Sequence, residues 1–531
     1  MRRHILFLIL LLAAGISKLA AQDTKLLLLV SVDELTTAQM EKSLPLMGEK
    51  GFRRLLKEGC YFSQMRHPFL ANDRAAALAA LMSGAPPCYN GIMAGTYQDP
   101  DTQKVRDLMD DAAFMGNTTG ASSSPASLKA ETLTDAVMAA STGLSQVYSV
   151  APWRDAALIG AGHAGSAAFW MDPSTGDWCS TTYYKEFPWY VSTLNQQSGV
   201  GKRIRDLEWT PLKDVSAYGL YGTASTRAFS YDPSDEGGLK YQALGQSARI
   251  NEEVNRLLRE ILEKSTLGRG KTMDVLSVAY YGGTYKKQPH TLKPLESVDA
   301  CLRVDEALAE LLDMVDRNIG LGKVIVCLAG TSSTARENAQ AEQKAYRLPT
   351  GEFYMDRCAT LLNMYLMASL GDGRYVKSAS GLEITLDKQV IEKNRLDMET
   401  VLKKSQEFLS EFSGVDRVYT SQDLRNGSWS PELERVRKGT YLPLSGDIIL
   451  EILPGWNLMD LDGNVKKTVQ RSQQAAPLML WGHGIVPSRT EKEVSSLSVA
   501  STLARLLGVS CPRSCQDGAL EITAPIRQRD F

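Results

Sequence analysis

The chain has 531 residues, 44% of them hydrophobic and 23% charged, with a formal net charge of −2. That length leaves room for a large core and more than one structural unit, and the composition is that of a globular chain. A near-neutral balance excludes a global field for nucleic acid or an anionic membrane, and no like-charge block, low-complexity tract or solenoid-length repeat stands out.

The first 21 residues read as a targeting segment. Arg2 and Arg3 precede an apolar run over 5–16, too short to span a bilayer comfortably, and Leu19, Ala20 and Ala21 offer a cleavage site before Gln22. Residues 1–21 are expected to be a signal peptide, with an uncleaved anchor as the alternative, and 22–531 the exported protein. No Cys stands at the cleavage point to carry a lipid, and no later run reaches transmembrane length.

Residues 26–32 form an apolar run without alternation, the pattern of a central parallel strand, and end at Asp33. Residues 47–58 read as a helix closed by Gly59, and 145–150 as a second strand. A long amphipathic helix over 248–264 leads to a strand over 273–280. A helix over 298–316 leads to a buried strand over 323–329, and a last helix over 497–507 returns to the main sheet. This alternation predicts an α/β fold, a mostly parallel sheet sandwiched by helices. Sites in such sheets lie at the carboxyl ends of the strands. Asp33, residues 281–284, Gly330 and Thr331 all occupy such ends. Residues 170–235 are rich in Trp, Tyr, Ser and Gly with weak periodicity, and are expected to form an inserted cap subdomain over the sheet edge. Residues 382–424 are a second candidate insertion.

Eight cysteines are present, and an exported chain permits disulfides. Cys511 and Cys515 are the one local pair, placed for a small loop staple; no second pair or nearby His completes a zinc site around them. Cys301 and Cys327 read as core residues of a helix and a strand.

Four segments carry a resemblance: GHAGSAAFWMD at 162–172 with STTYY at 180–184, CLRVDEALAELLDMVD at 301–316, GDIILEILPGW at 446–456, and the Gly84, Pro86, Pro87, Gly91, Ile92 run. On these the chain resembles the alkaline phosphatase superfamily, on its exported type I phosphodiesterase and nucleotide pyrophosphatase-like branch, over roughly residues 25–522. The resemblance implies an α/β sandwich around two zinc ions and a Thr or Ser nucleophile that forms a covalent phosphoryl intermediate. Two such ions clamp the attacking and leaving oxygens of an in-line displacement and need about six Asp and His ligands.

Carried across position by position, that pattern finds one match. Asp33 stands at the first metal ligand. The nucleophile position falls on Arg74, and the phosphate-binding Asn on Gly95. The basic Lys-x-Arg pair falls on Trp153 and Asp155, or on Pro152 and Arg154 with the gap placed differently. The Asp-x-x-x-His ligands fall on Thr284 and Gln288, the Asp-His pair on Gly330 and Thr331, and the last His near Lys466. None of His67, His163, His290 and His483 sits at a matching strand end.

Several residues keep two readings. Asp33 is a helix cap or hydrogen-bond hub, or a residual single-cation site, and Lys466 could pair with it in place of a metal. Arg74 is an anion-binding guanidinium, or an Arg salt-bridged to Asp73. His163 reads as a satisfied core residue, and Trp178, Tyr183, Tyr184, Trp189 and Tyr190 as the core of the cap or a binding surface.

The leading expectation is a catalytically inactive superfamily member, exported to the periplasm or outer envelope, acting as a binding or scaffold subunit. It would carry no cofactor and no metal and would partner an envelope or outer-membrane protein. The alternatives are an active metal-dependent phosphatase or phosphodiesterase with an atypical zinc site, and a non-catalytic binder of a phosphorylated or sulfated ligand.

Overall fold

The computed structural model describes residues 24–69, 73–99, 102, 104–185, 187–221, 228–287, 294–331, 350–469 and 474–522. The expected signal peptide and Gln288 lie outside them. The chain divides into two compact units, Met1–Gly95 with Met109–Ala335 and Gln474–Phe531, and Thr96–Leu108 with Arg336–Gln473.

The first unit is built on an 11-stranded sheet. Its centre is five parallel strands, in the spatial order Val324–Gly330, Leu26–Asp33, Asp274–Tyr281, Val147–Ala151 and Ala167–Met171. The flanks turn antiparallel: Ala476–Gly482 beside Val324–Gly330, and Trp178–Thr181 beside Ala167–Met171. The sheet is therefore mixed, parallel at its heart, as the unalternating apolar runs require of strands buried on both faces. Leu26, Leu28, Val278, Tyr280, Val326 and Leu328 form one core with the helices Ile250–Lys264 and Pro294–Asn318.

Register fixes where the site forms. Val32 pairs with Gly330 and Asp33 with Tyr281, so the carboxyl ends of three central strands lie level. Asp33 is followed by Glu34, a buried residue with φ +64 that turns the chain sharply off the strand.

The helix expected over 47–58 is shorter, Phe52–Glu58. Asp305 accepts hydrogen bonds from the Gly48 and Phe52 N–H groups, and this long-range tie holds residues 48–51 as a turn. Residues 170–235 fall inside the first unit. Trp178, Tyr184 and Tyr190 are buried there, while Trp189 is 66% exposed.

The second unit has its own core, including Leu362, Leu366, Ile384, Val401 and Ile448. A four-stranded sheet runs Val376–Ser380, Glu383–Leu386, Ile448–Ile452, Val415–Thr420, packed with the helices Met355–Leu370 and Met398–Ser410. Residues 382–424 lie wholly within this unit, as does the GDIILEILPGW segment.

Candidate functional site

Arg74 is the first residue of the helix Arg74–Ser83, which Asp73 caps by accepting from the Ala75 N–H at 2.8 Å. The Asp73 carboxylate also holds the Gly95 N–H at 3.0 Å. Its charge acts on Arg74, but the ion pair expected between them goes elsewhere. Arg74 Nη2 donates to both oxygens of Asp155, each at 2.9 Å, and Nη1 lies 3.4 Å from Asp33 Oδ2. The guanidinium carbon sits 3.9 Å over the Trp153 ring. Trp153 is fixed in turn by its Nε1–H bond to Gly245 O at 3.1 Å and an edge contact with Tyr281.

The three charged side chains are enclosed: Asp33 is 1% exposed, Asp155 8% and Arg74 15%. Burial works against the Arg74 charge, but Asp155, Asp33 and Asp73 outweigh it and hold its pKa above the ordinary guanidinium value. Asp155 lies in the first turn of the helix Arg154–Ala161 and accepts from the Ala156 N–H at 2.9 Å. A carboxylate there also meets the positive end of the helix dipole. One cation, two helix starts and a stacked indole thus stabilise the buried carboxylates.

Around this cluster, the Thr331 hydroxyl donates to Asp33 Oδ1 at 3.3 Å and its carbonyl accepts from His67 Nε2 at 2.7 Å. Burial lowers the His67 pKa from 6.5 to about 4 against that bond, so the ring is neutral with the proton on Nε2. Thr284 is fully buried, its carbonyl accepting from the Tyr281 hydroxyl at 2.6 Å. Gly330 is packed so tightly that a Cβ would lie 2.4 Å from Leu35 O and 3.0 Å from Ala476 Cβ. A Cβ at Gly95 would come 3.3 Å from Asp155 Oδ2.

Asp33, Arg74, Gly95, Thr284, Gly330 and Thr331 all belong to the first unit, and Arg74 and Thr331 contact Asp33 directly. Lys466 is an exposed residue of the Val465–Thr468 strand in the second unit, near Asp460, and Arg74 supplies a cation to Asp33 from within the first unit. Sequence reasoning put Trp153 and Asp155 at the basic positions of the site without pairing either with Arg74, and it missed His67. The available signal was reciprocal: a cation had arrived at the nucleophile position while an anion had arrived at a basic one.

This donor set does not fit a two-zinc centre. Among the described residues no three His, Cys, Asp or Glu side chains are placed to hold a metal ion. At Asp33 a guanidinium, which has no lone pair to give, fills the coordination space, and Gly330 leaves no volume for a ligand side chain.

The family model for type I phosphodiesterase / nucleotide pyrophosphatase matches residues 27–475. The chain belongs to that family. Among curated relatives, it is 26% identical over 516 residues to a protein of Myroides odoratus named calcium-transporting ATPase, covering 92% of this chain and 93% of that one. It is 24% identical to the alkaline phosphatase PafA of Elizabethkingia meningoseptica, covering 93% of each. The crystal structure of wild-type PafA matches with a TM-score of 0.82 at 22% identity, over 94% of this chain and 98% of that one, a likeness of fold. The alkaline phosphatase-like α/β fold of this family member therefore carries, at its strand ends, a closed ionic cluster.

Proposed function

We propose that this family member has no phosphoryl-transfer activity and works as an exported binding or scaffold subunit of the cell envelope. The observation that carries the reading is the Arg74–Asp155 pair. The resemblance expects a hydroxyl nucleophile where Arg74 stands and a basic phosphate ligand where Asp155 stands. A guanidinium cannot attack phosphorus, and a carboxylate repels the phosphate oxygens that an Arg would hold. The two replacements satisfy each other and enclose Asp33. The same pairing speaks against Arg74 as a receptor for a phosphorylated or sulfated ligand, because its charge is already met by carboxylates. Export rests on the leader-like start of the chain, together with the finding that no helix among the described residues is long and apolar enough to cross a membrane.

The relative PafA bears the name alkaline phosphatase, so the test must give the enzyme every chance. Purified mature protein would be loaded with zinc, desalted, assayed for metal by elemental mass spectrometry and offered an aryl phosphate monoester and diester. The expected result is substoichiometric zinc and no turnover above the Asp33→Ala variant. Near-stoichiometric zinc with turnover lost in Asp33→Ala would overturn the proposal in favour of an atypical metal-dependent phosphatase or phosphodiesterase.

A further inference from the structure

Far from the strand ends, the C-terminal segment is tied back onto the helix that begins at Arg74. That helix ends at Gly84, whose φ is +66 and whose carbonyl accepts from the Gln516 N–H at 2.9 Å. The Cys515 thiol donates to Ser83 O at 3.4 Å and lies so close to the Gly84 backbone that a Cβ there would be 2.5 Å from its sulfur. The Cys515 N–H closes a turn onto Pro512 O at 3.1 Å, and the Arg513 N–H is held by Glu131 at 3.1 Å. This turn closes the chain over residues 512–515 and so brings Cys511, which immediately precedes it, round toward Cys515. Cys511 is exposed, Cys515 and Cys88 are partly so, and Cys60, Cys179, Cys301, Cys327 and Cys358 are buried.

We propose that Cys511 and Cys515 form a redox-addressable pair that closes into an intramolecular disulfide and clamps the C-terminal segment onto the end of the Arg74 helix. Both are free thiols in the structure, and the loop staple expected from their spacing is part of this proposal. The oxidant is a small-molecule or protein disulfide. The exposed Cys511 thiolate attacks it and forms a mixed disulfide, releasing one oxidant thiolate. The Cys515 sulfur, giving up its proton, then attacks Cys511 Sγ and displaces the second oxidant thiolate. Two protein thiols are oxidised, one oxidant disulfide is reduced to two thiols, and the two protons end on those thiols. The pair is selective because the attacking sulfur must be reachable and its partner already adjacent, conditions that the buried cysteines do not meet. Ring closure gives up the Cys515 S–H bond to Ser83 O, but the Gln516 and Arg513 N–H bonds still dock the segment, and the ring stabilises that form by restricting the undocked one. Whether the bond forms in the cell rests on the proposed export, since oxidising compartments favour it; the chemistry itself does not.

The test uses the full mature chain with oxidised glutathione as the probe. Protein incubated with and without it is denatured, alkylated and digested with trypsin, which cuts between Arg513 and Ser514. The expected result is that alkylation of both residues is lost and the two flanking peptides remain joined until dithiothreitol is added. Alkyl groups on both residues after oxidation, or a glutathione on each, would overturn the proposal. A second measurement reads the clamp. Oxidised wild-type protein should melt above the reduced form, and Cys511→Ser, an exposed and structurally mild change, should abolish the difference. The same difference in Cys511→Ser, or none in the wild type, would overturn the clamp. Neither result depends on phosphatase activity, so the failure of one proposal leaves the other standing.

Discussion

At the scale of single residues, Arg74 is the residue whose removal is felt most. Truncating one partner of a buried ion pair leaves the other charge unpaired, a loss of about 3–5 kcal/mol. Arg74→Ala strands two enclosed carboxylates, Asp33 and Asp155, so we expect a destabilisation of about that size. Arg74→Ala combined with Asp155→Ala should lose less than the single change, because it removes a charge together with its partner. Urea unfolding of the two variants checks this, and a double mutant worse than the single would show that the pair does not act as a unit. Restoring a ligand is also blocked sterically. Gly330→Asp forces a Cβ against Leu35 O and should lower the melting temperature without raising zinc affinity, read by calorimetry and metal titration. The resemblance placed Asp33 and Arg74 in one site, as the first metal-ligand position and the nucleophile position. Asp155 was not recognised as Arg74's partner: 81 residues separate them, and the one sign was the exchange of charge between two positions of the resemblance.

Among elements, the most recognisable segment in the chain proves to be a structural junction. The Gly162–His163–Ala164 turn follows the helix Arg154–Ala161 and locks onto the capping box of the helix Leu133–Ala140. His163 Nδ1 meets Asp135 at 3.0 Å, Nε2 meets Leu128 O at 2.8 Å, and the Ala164 N–H reaches Asp135 at 2.7 Å. With an acceptor on each ring nitrogen the imidazolium is favoured, and the bond to Asp135 raises the His163 pKa above 6.5. Burial alone would raise Asp135, but the bonds from His163, Thr132 and Ala164 hold it below its ordinary 3.8. The His163 contribution is therefore complete below its unfolded value and is lost as pH rises through the raised folded value. The Asp135 contribution is present above 3.8 and is lost as pH falls through the depressed one. His67 slopes the other way. Between 6.5 and about 4 the unfolded chain binds a proton that the folded ring does not, so stability falls as pH drops across that window. We expect His163→Gln to cost about 1 kcal/mol near neutral pH and to flatten the alkaline limb. His67→Gln should flatten the acid limb. Thermal melts across pH check both, and an unchanged alkaline slope in His163→Gln would remove His163 as its source. Strands and long helices were legible to within a few residues because apolar period and length set them. The 48–51 turn was not, because Asp305 imposes it from another helix.

For the whole molecule, the arrangement of the second unit as an insertion makes a strong demand. Its larger part, Arg336–Gln473, begins after Ala335 and returns at Gln474, and the described residues nearest these ends are Thr331 and Gln474. Those ends are neighbours in the first unit's sheet: Ala329 pairs with Leu478 in antiparallel register, which sets Thr331 opposite Ala476. The Thr331 N–H also bonds Val32 O, and the Thr37 N–H bonds Ala475 O, so both exits are pinned to the same central strand and its following turn. A linker of about six Gly and Ser residues spans a gap between adjacent strands. Among the described residues each unit has its own hydrophobic cluster. Replacing 332–473 by such a linker should therefore leave a soluble protein with one cooperative melt and the near-ultraviolet dichroism of a packed Trp153. Its zinc content and aryl phosphate turnover should match the full chain's. A molten or aggregated product would mean that the first unit depends on the second to fold. The scaffold reading would then have to treat the two as one folding unit, whereas a folded core would leave the second unit, with its exposed Leu361, Met364 and Trp429, free to be assayed separately for a partner.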